Sequence, residues 1–75
     1  MDIKLVQKIF FSSLNLKKNV NLKRLKYGNQ NWDSIAHMQL IAHLEKKFQI
    51  AIESEDVIDM SSYSKALTIL KKYLK

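Results

Sequence analysis

The chain has 75 residues, 47% of them apolar, with no cysteine, no proline and a single glycine. That allows one small hydrophobic core and leaves no material for a second domain. The lack of cysteine excludes disulfides, thiolate nucleophiles and cysteine-rich zinc sites, and a core of this size leaves little depth for an enzyme cleft. Thirteen Lys and Arg against seven Asp and Glu give a formal charge of +6, which brings nucleic acids and anionic surfaces in as partners to be weighed.

The charge is placed unevenly. Residues 1–32 carry seven basic side chains and one acid, 33–52 two of each, 53–62 four acids, and 63–75 four lysines. No apolar run approaches the roughly 20 residues that cross a bilayer. Residues 1–14 lack the long apolar centre and small-residue cleavage site of a signal peptide. A soluble, cytoplasmic monomer without membrane insertion is the expectation.

Over residues 2–13, Ile3, Val6 and Phe10 recur at helical spacing and continue to Leu14, with Leu5 and Ile9 beside them. This predicts a first helix, with Asp2 as its cap and Ser12, Ser13 and Asn15 weakening its end. Residues 15–32 hold scattered Leu16, Val20, Leu22 and Leu25 among asparagines and lysines. They read as a long connection pinned by its apolar residues, a length that calls for anchoring or for a functional reason. Gly28 and Asn29 supply the turn before the next element.

The second helix starts at Asp33 or Ser34 and runs to about Phe48, with Ile35, Met38, Ile41, Leu44 and Phe48 as its buried stripe and Leu40 widening it. Lys46 and Lys47 suit the negative end of its dipole. Residues 49–52 are too few for an independent strand. Residues 53–60 suit a short acidic helix that docks through Val57, Ile58 and Met60. Ser61 or Ser62 then caps a last helix whose apolar face includes Ala66, Leu67, Ile69, Leu70, Tyr73 and Leu74. The sum is an all-α, small irregular four-helix bundle, three longer helices and one short one, forming a single domain over residues 1–75.

The stretch that suggests chemistry is Trp32-Asp33-Ser34-Ile35, where the long connection meets the second helix. A serine there presents its hydroxyl beside the free amides of a helical first turn, which face outward and favour a phosphate. A capping role for Asp33 or Ser34 explains the same residues without further function.

The segment NWDSIAHMQLIAHLEKKFQIAI resembles the acyl and peptidyl carrier proteins, whose signature is Asp-Ser-Leu followed by a helix of the form xxxELxxxLExxF. Asp33-Ser34-Ile35 matches the triplet, Leu40 and Leu44-Glu45 match the helix, and Phe48 matches its closing aromatic. The resemblance extends over nearly the whole chain in length and helix order. It implies a bundle of acyl-carrier type and makes Ser34 the covalent attachment residue for 4'-phosphopantetheine, derived from coenzyme A, with Asp33 and Ile35 flanking it. Such a carrier holds an acyl or aminoacyl group as a thioester on the arm and is not itself an enzyme. The implied partners are a phosphopantetheinyl transferase, an acyl- or aminoacyl-activating enzyme, and acyl-transfer or synthase enzymes. They would dock through Trp32, Ile35, Met38, Gln39, Glu45 and Asp56. Ala36 and Gln39 stand where fatty-acid carriers present acids, and Lys46 and Lys47 replace acids near the helix end. A specialised biosynthetic pathway fits these departures better than housekeeping lipid metabolism.

Two rival readings follow from the residues themselves. Lys17, Lys18, Lys23, Arg24 and Lys26 with Tyr27 and Trp32 would make a basic patch with stacking groups, as a small nucleic-acid-binding domain needs. No recognition-helix pattern accompanies it, the acidic third segment repels phosphate, and no stable nucleic-acid partner is expected. A helical protein-interaction domain without a prosthetic group is the other rival. His37 lies one turn beyond Ser34, but sequence neighbours on one helical turn seldom form a hydrolytic Ser-His-Asp unit, so a solvated or partner-facing His37 is expected. His37 and His43 are turned about 240° apart on an ideal helix and share no metal ion.

Overall fold

A computed structural model describes residues 1–74. It contains four α-helices, α1 (Ile3–Ser13), α2 (Ser34–Phe48), α3 (Ser54–Asp59) and α4 (Tyr63–Tyr73), with one 3-10 turn (Leu22–Arg24) in the long connection. Among the described residues the only β-type pairing is an isolated antiparallel bridge between Lys26 and Ser62. The radius of gyration is 11.2 Å, close to the ~11 Å of a compact chain of this length. The result is a small all-α bundle consistent with a general acyl-carrier-like fold.

Each longer helix begins on a side-chain cap that removes one orphan amide from its first turn. Asp2 accepts from the Leu5 amide, Asp33 from Ala36 and Ser62 from Lys65. Helix α2 ends on Gln49, which takes the left-handed conformation (φ 55°) and donates its amide to the Glu45 carbonyl. The Glu45 carboxylate then accepts the Ile52 amide at 2.8 Å, which draws residues 49–52 back along the helix and buries Ile52.

The core gathers Val6, Ile9, Phe10 and Leu14 from α1, Leu40, Ile41 and Leu44 from α2, and Ala66, Ile69 and Leu70 from α4. Phe10 sits at its centre, edge-on to both Trp32 and Tyr63. The long connection is held by buried Leu22 and Leu25, and Asn21 caps the 3-10 turn by accepting from the Lys23 amide. Anchoring of this kind is what an 18-residue connection needs in a compact domain.

Helix α2 is rotated relative to the stripe expected from its apolar residues. Ile35 and Met38 are 73% and 60% exposed, and His37 is buried in their stead, in line with Leu40, Ile41 and Leu44. The cause is chemical. Trp32 Nε1–H donates to His37 Nδ1 at 2.9 Å, so the opposite nitrogen carries the proton and His37 Nε2–H donates to the Val57 carbonyl at 2.7 Å. With both nitrogens satisfied, the ring enters the core at little cost. Ile58, expected to dock α3, is 78% exposed, and half-buried Val57 and buried Met60 hold that segment instead. Phe48, placed in the buried stripe, is only half-buried.

A polar clamp fastens α3 to α4. Asp56 accepts from Lys72 Nζ at 2.8 Å and from the Tyr73 hydroxyl. Lys72 first and Tyr73 second hold the Asp56 carboxyl below its ordinary value, while hydrogen bonding to Asp56 raises Lys72 and Tyr73 above theirs. For Asp56 the contribution is present above its unfolded value, about 4, and is lost as pH falls through the lower folded value. For Lys72 and Tyr73 it is present below about 10 and is lost as pH rises through the raised folded values. The Lys72 ammonium and Tyr73 ring resonances should therefore move together on acidification below about pH 4, as the carboxylate that holds both is protonated. In Asp56→Asn that acid transition should vanish; its persistence would remove the clamp from the account.

Candidate functional site

The site is assembled where the long connection turns into α2. Gly28 adopts φ 95°, a backbone state open to glycine and strained for other residues. Its amide donates to the Trp32 carbonyl at 2.8 Å, and the Trp32 amide returns to Asn29 at 3.0 Å, closing a tight loop. The Tyr27 amide donates to the Ser61 carbonyl at 2.8 Å, beside the Lys26 bridge to Ser62. These bonds fix Tyr27 against the start of α2, with its ring edge-on to His37 at 5.7 Å and to Trp32 at 6.2 Å.

Ser34 is the first residue of α2, exposed to solvent. The cap is Asp33, whose carboxylate accepts the Ala36 amide at 2.8 Å, so the Ser34 hydroxyl is not consumed in capping. It shares a hydrogen bond of 2.8 Å with the Tyr27 hydroxyl. The amides at this helix start face outward with the positive end of the dipole behind them, and the same end favours a negatively charged ester on Ser34.

Beside Ser34 lies a cleft of about 370 Å³, bounded by Tyr27 and His37 on one side, Met38 on α2, and Val57, Ile58 and Met60 on the other. A shallower apolar trough runs from Ser34 along Ile35, Met38, Gln39 and Ala42. Tyr27, Ile35, Met38 and Ile58 are four of the six large apolar or aromatic side chains that stay exposed, and all four border one of these two depressions. None of the residues lining either depression carries a formal charge.

The structure divides the residues expected at this site. Asp33, Ser34, Ile35, Met38 and Gln39 are brought together on one exposed surface. Trp32 is corrected from docking contact to core: it is 1% exposed, packed on Phe10 and stacked on His37, which also removes it as a base-stacking group. Glu45 and Asp56, placed in the docking set, have carboxylates engaged with the Ile52 amide and with Lys72 and Tyr73. His37 is buried instead of solvated, and both its nitrogens bond to groups other than Ser34. No hydrolytic Ser34–His37 pair forms among the described residues. His43 bonds to Ser13, and no group of His, Asp and Glu among the described residues is arranged to hold a metal ion.

Sequence reasoning missed Tyr27 as a partner of Ser34. A tyrosine seven residues upstream across a loop has no periodic signal, and only Gly28 next to it marks the turn that brings the two together. Comparisons with protein-family models, with curated proteins and with solved structures returned no match for this chain. No described helix is long and apolar enough to cross a membrane.

Proposed function

We propose that this protein is a carrier in a specialised biosynthetic pathway, bearing 4'-phosphopantetheine on Ser34 and presenting an acyl or aminoacyl group to partner enzymes. The observation that carries this reading is the Ser34 hydroxyl. It is exposed at the first position of a 15-residue helix and left free by the Asp33 cap, at the mouth of an uncharged, largely apolar cleft. The Asp-Ser-Ile triplet and the four-helix order support it.

The group supplies a thiol that this cysteine-free chain lacks, and thioester chemistry belongs to that thiol. The residues of the chain do the rest. Ser34 Oγ would give up its bond to Tyr27, lose its proton to the transferase and bond to the pantetheine-bearing phosphorus of coenzyme A, while the diphosphate anhydride bond breaks and adenosine 3',5'-bisphosphate departs. The outward amides of the first turn and the helix dipole then favour the phosphodiester. Met38, Val57, Ile58 and Met60 offer apolar cover for a bound chain. Exposed Ile35 and Met38 give a partner an apolar docking face, and tethering raises the effective concentration of the cargo there.

Incubation with coenzyme A and a broad-specificity phosphopantetheinyl transferase, read by intact mass spectrometry, should add one phosphopantetheine to the chain and none to Ser34→Ala. That variant should keep its fold, since Asp33 does the capping. An unchanged mass with a transferase that loads a control carrier would overturn the proposal and leave the Ile35–Met38 surface as the docking face of an unmodified interaction domain.

A further inference from the structure

A second concavity lies between α1 and α2, near the far end of α2 from Ser34, with a volume of about 590 Å³. This lies within the ~300–1,000 Å³ range of small-molecule sites. Leu5 and Ile9 of α1 give it an apolar lining, and Lys8, Lys46 and Lys47 bring three ammonium groups. Ser13 Oγ and His43 Nδ1, 2.6 Å apart, join the two helices at this place, so the walls are tied at a fixed separation. No residue lining it is acidic. The single ion pair among the described residues, Lys72 with Asp56, lies elsewhere, which leaves these three lysines without a carboxylate partner.

An apolar lining with three unneutralised cations suits one kind of small ligand, an alkyl chain ending in an anion. We propose that the α1–α2 groove binds a free single-chain amphiphile with a carboxylate or phosphate head, the chain lying on Leu5 and Ile9 and the head among Lys8, Lys46 and Lys47. Charge separates this site from the cleft beside Ser34, whose lining has no cation and favours an uncharged chain. Lys46 lies twelve residues beyond Ser34 on α2, about 18 Å along the axis. The groove therefore does not depend on any group carried by Ser34.

The test is an NMR titration of the full chain, unmodified at Ser34, with decanoate and decyl phosphate below their micelle concentrations. Saturable shifts are expected at Lys8, Ile9, Ser13, His43, Lys46 and Lys47, with 1-decanol and inorganic phosphate each producing no saturation over the same range. Lys46→Gln/Lys47→Gln, with helix content checked by circular dichroism, should weaken decanoate binding about five- to tenfold. Ser34→Ala should bind as the parent does, so failure of the carrier reading and failure of this one are separable. Shifts confined to Tyr27, Met38 and Ile58, equal affinity in the double lysine variant, or binding to anionic phospholipid vesicles without binding to decanoate would each overturn the proposal.

Discussion

Trp32→Ala should come close to unfolding the protein. The indole is buried against Phe10 and His37, and aromatic-to-alanine changes in such positions cost about 3–5 kcal/mol. A domain of this length holds only ~4–11 kcal/mol in total. The change also deprives His37 Nδ1 of its donor, on the ring that ties the helix start to the Val57 carbonyl. Trp32→Phe isolates that second effect by keeping most of the packing, and should cost about 1–3 kcal/mol for the acceptor left without a partner. Urea denaturation followed by circular dichroism measures both. A loss below about 1 kcal/mol in Trp32→Ala would contradict its place in the core.

The second large effect is a contrast along one helix. Leu44→Ala should remove about 2–5 kcal/mol, because Leu44 is fully buried between the helices, whereas Met38→Ala should stay within about 0.5 kcal/mol. Half-buried Phe48 should fall between them. Equal losses at Met38 and Leu44 would restore the stripe expected from apolar periodicity alone and undo the rotation of α2. The same urea curves decide it.

What the sequence made legible, and what it did not, turns on that rotation. Helix boundaries to within a residue or two, the Asp2 cap, and the anchoring of the long connection by Leu22 and Leu25 follow from local chemistry, which also narrows the other two caps to Asp33 or Ser34 and Ser61 or Ser62, of which Asp33 and Ser62 serve. The facing of α2 does not. Periodicity counts apolar side chains and passes over a histidine whose polar atoms are both satisfied, so it turns His37 outward and Ile35 and Met38 inward, whereas the family resemblance sets Ile35 and Met38 on the exposed docking face where they are found. The deciding partners, Trp32 and Val57, come from a loop and from another helix. For the site, the exposed serine at a helix start was legible from Asp33-Ser34. Its bond to Tyr27 and its apolar surroundings depend on the Gly28 turn and on the placement of α3, which one chain segment read alone does not reveal.

The way α3 is fastened has a consequence for motion. Its six residues include none that is fully buried, and the helix is held through the His37–Val57 bond, the Asp56 clamp and Met60 just beyond its end. Elements with so little buried apolar surface open locally without disturbing the rest. Phe10, Leu44 and Leu70 join the three longer helices in one core, to which α3 contributes no fully buried residue. The wall of the cleft that carries Val57 and Ile58 therefore rests on a few polar ties more than on buried apolar area, so of the borders next to Ser34 it is the one most sensitive to loss of a single hydrogen bond.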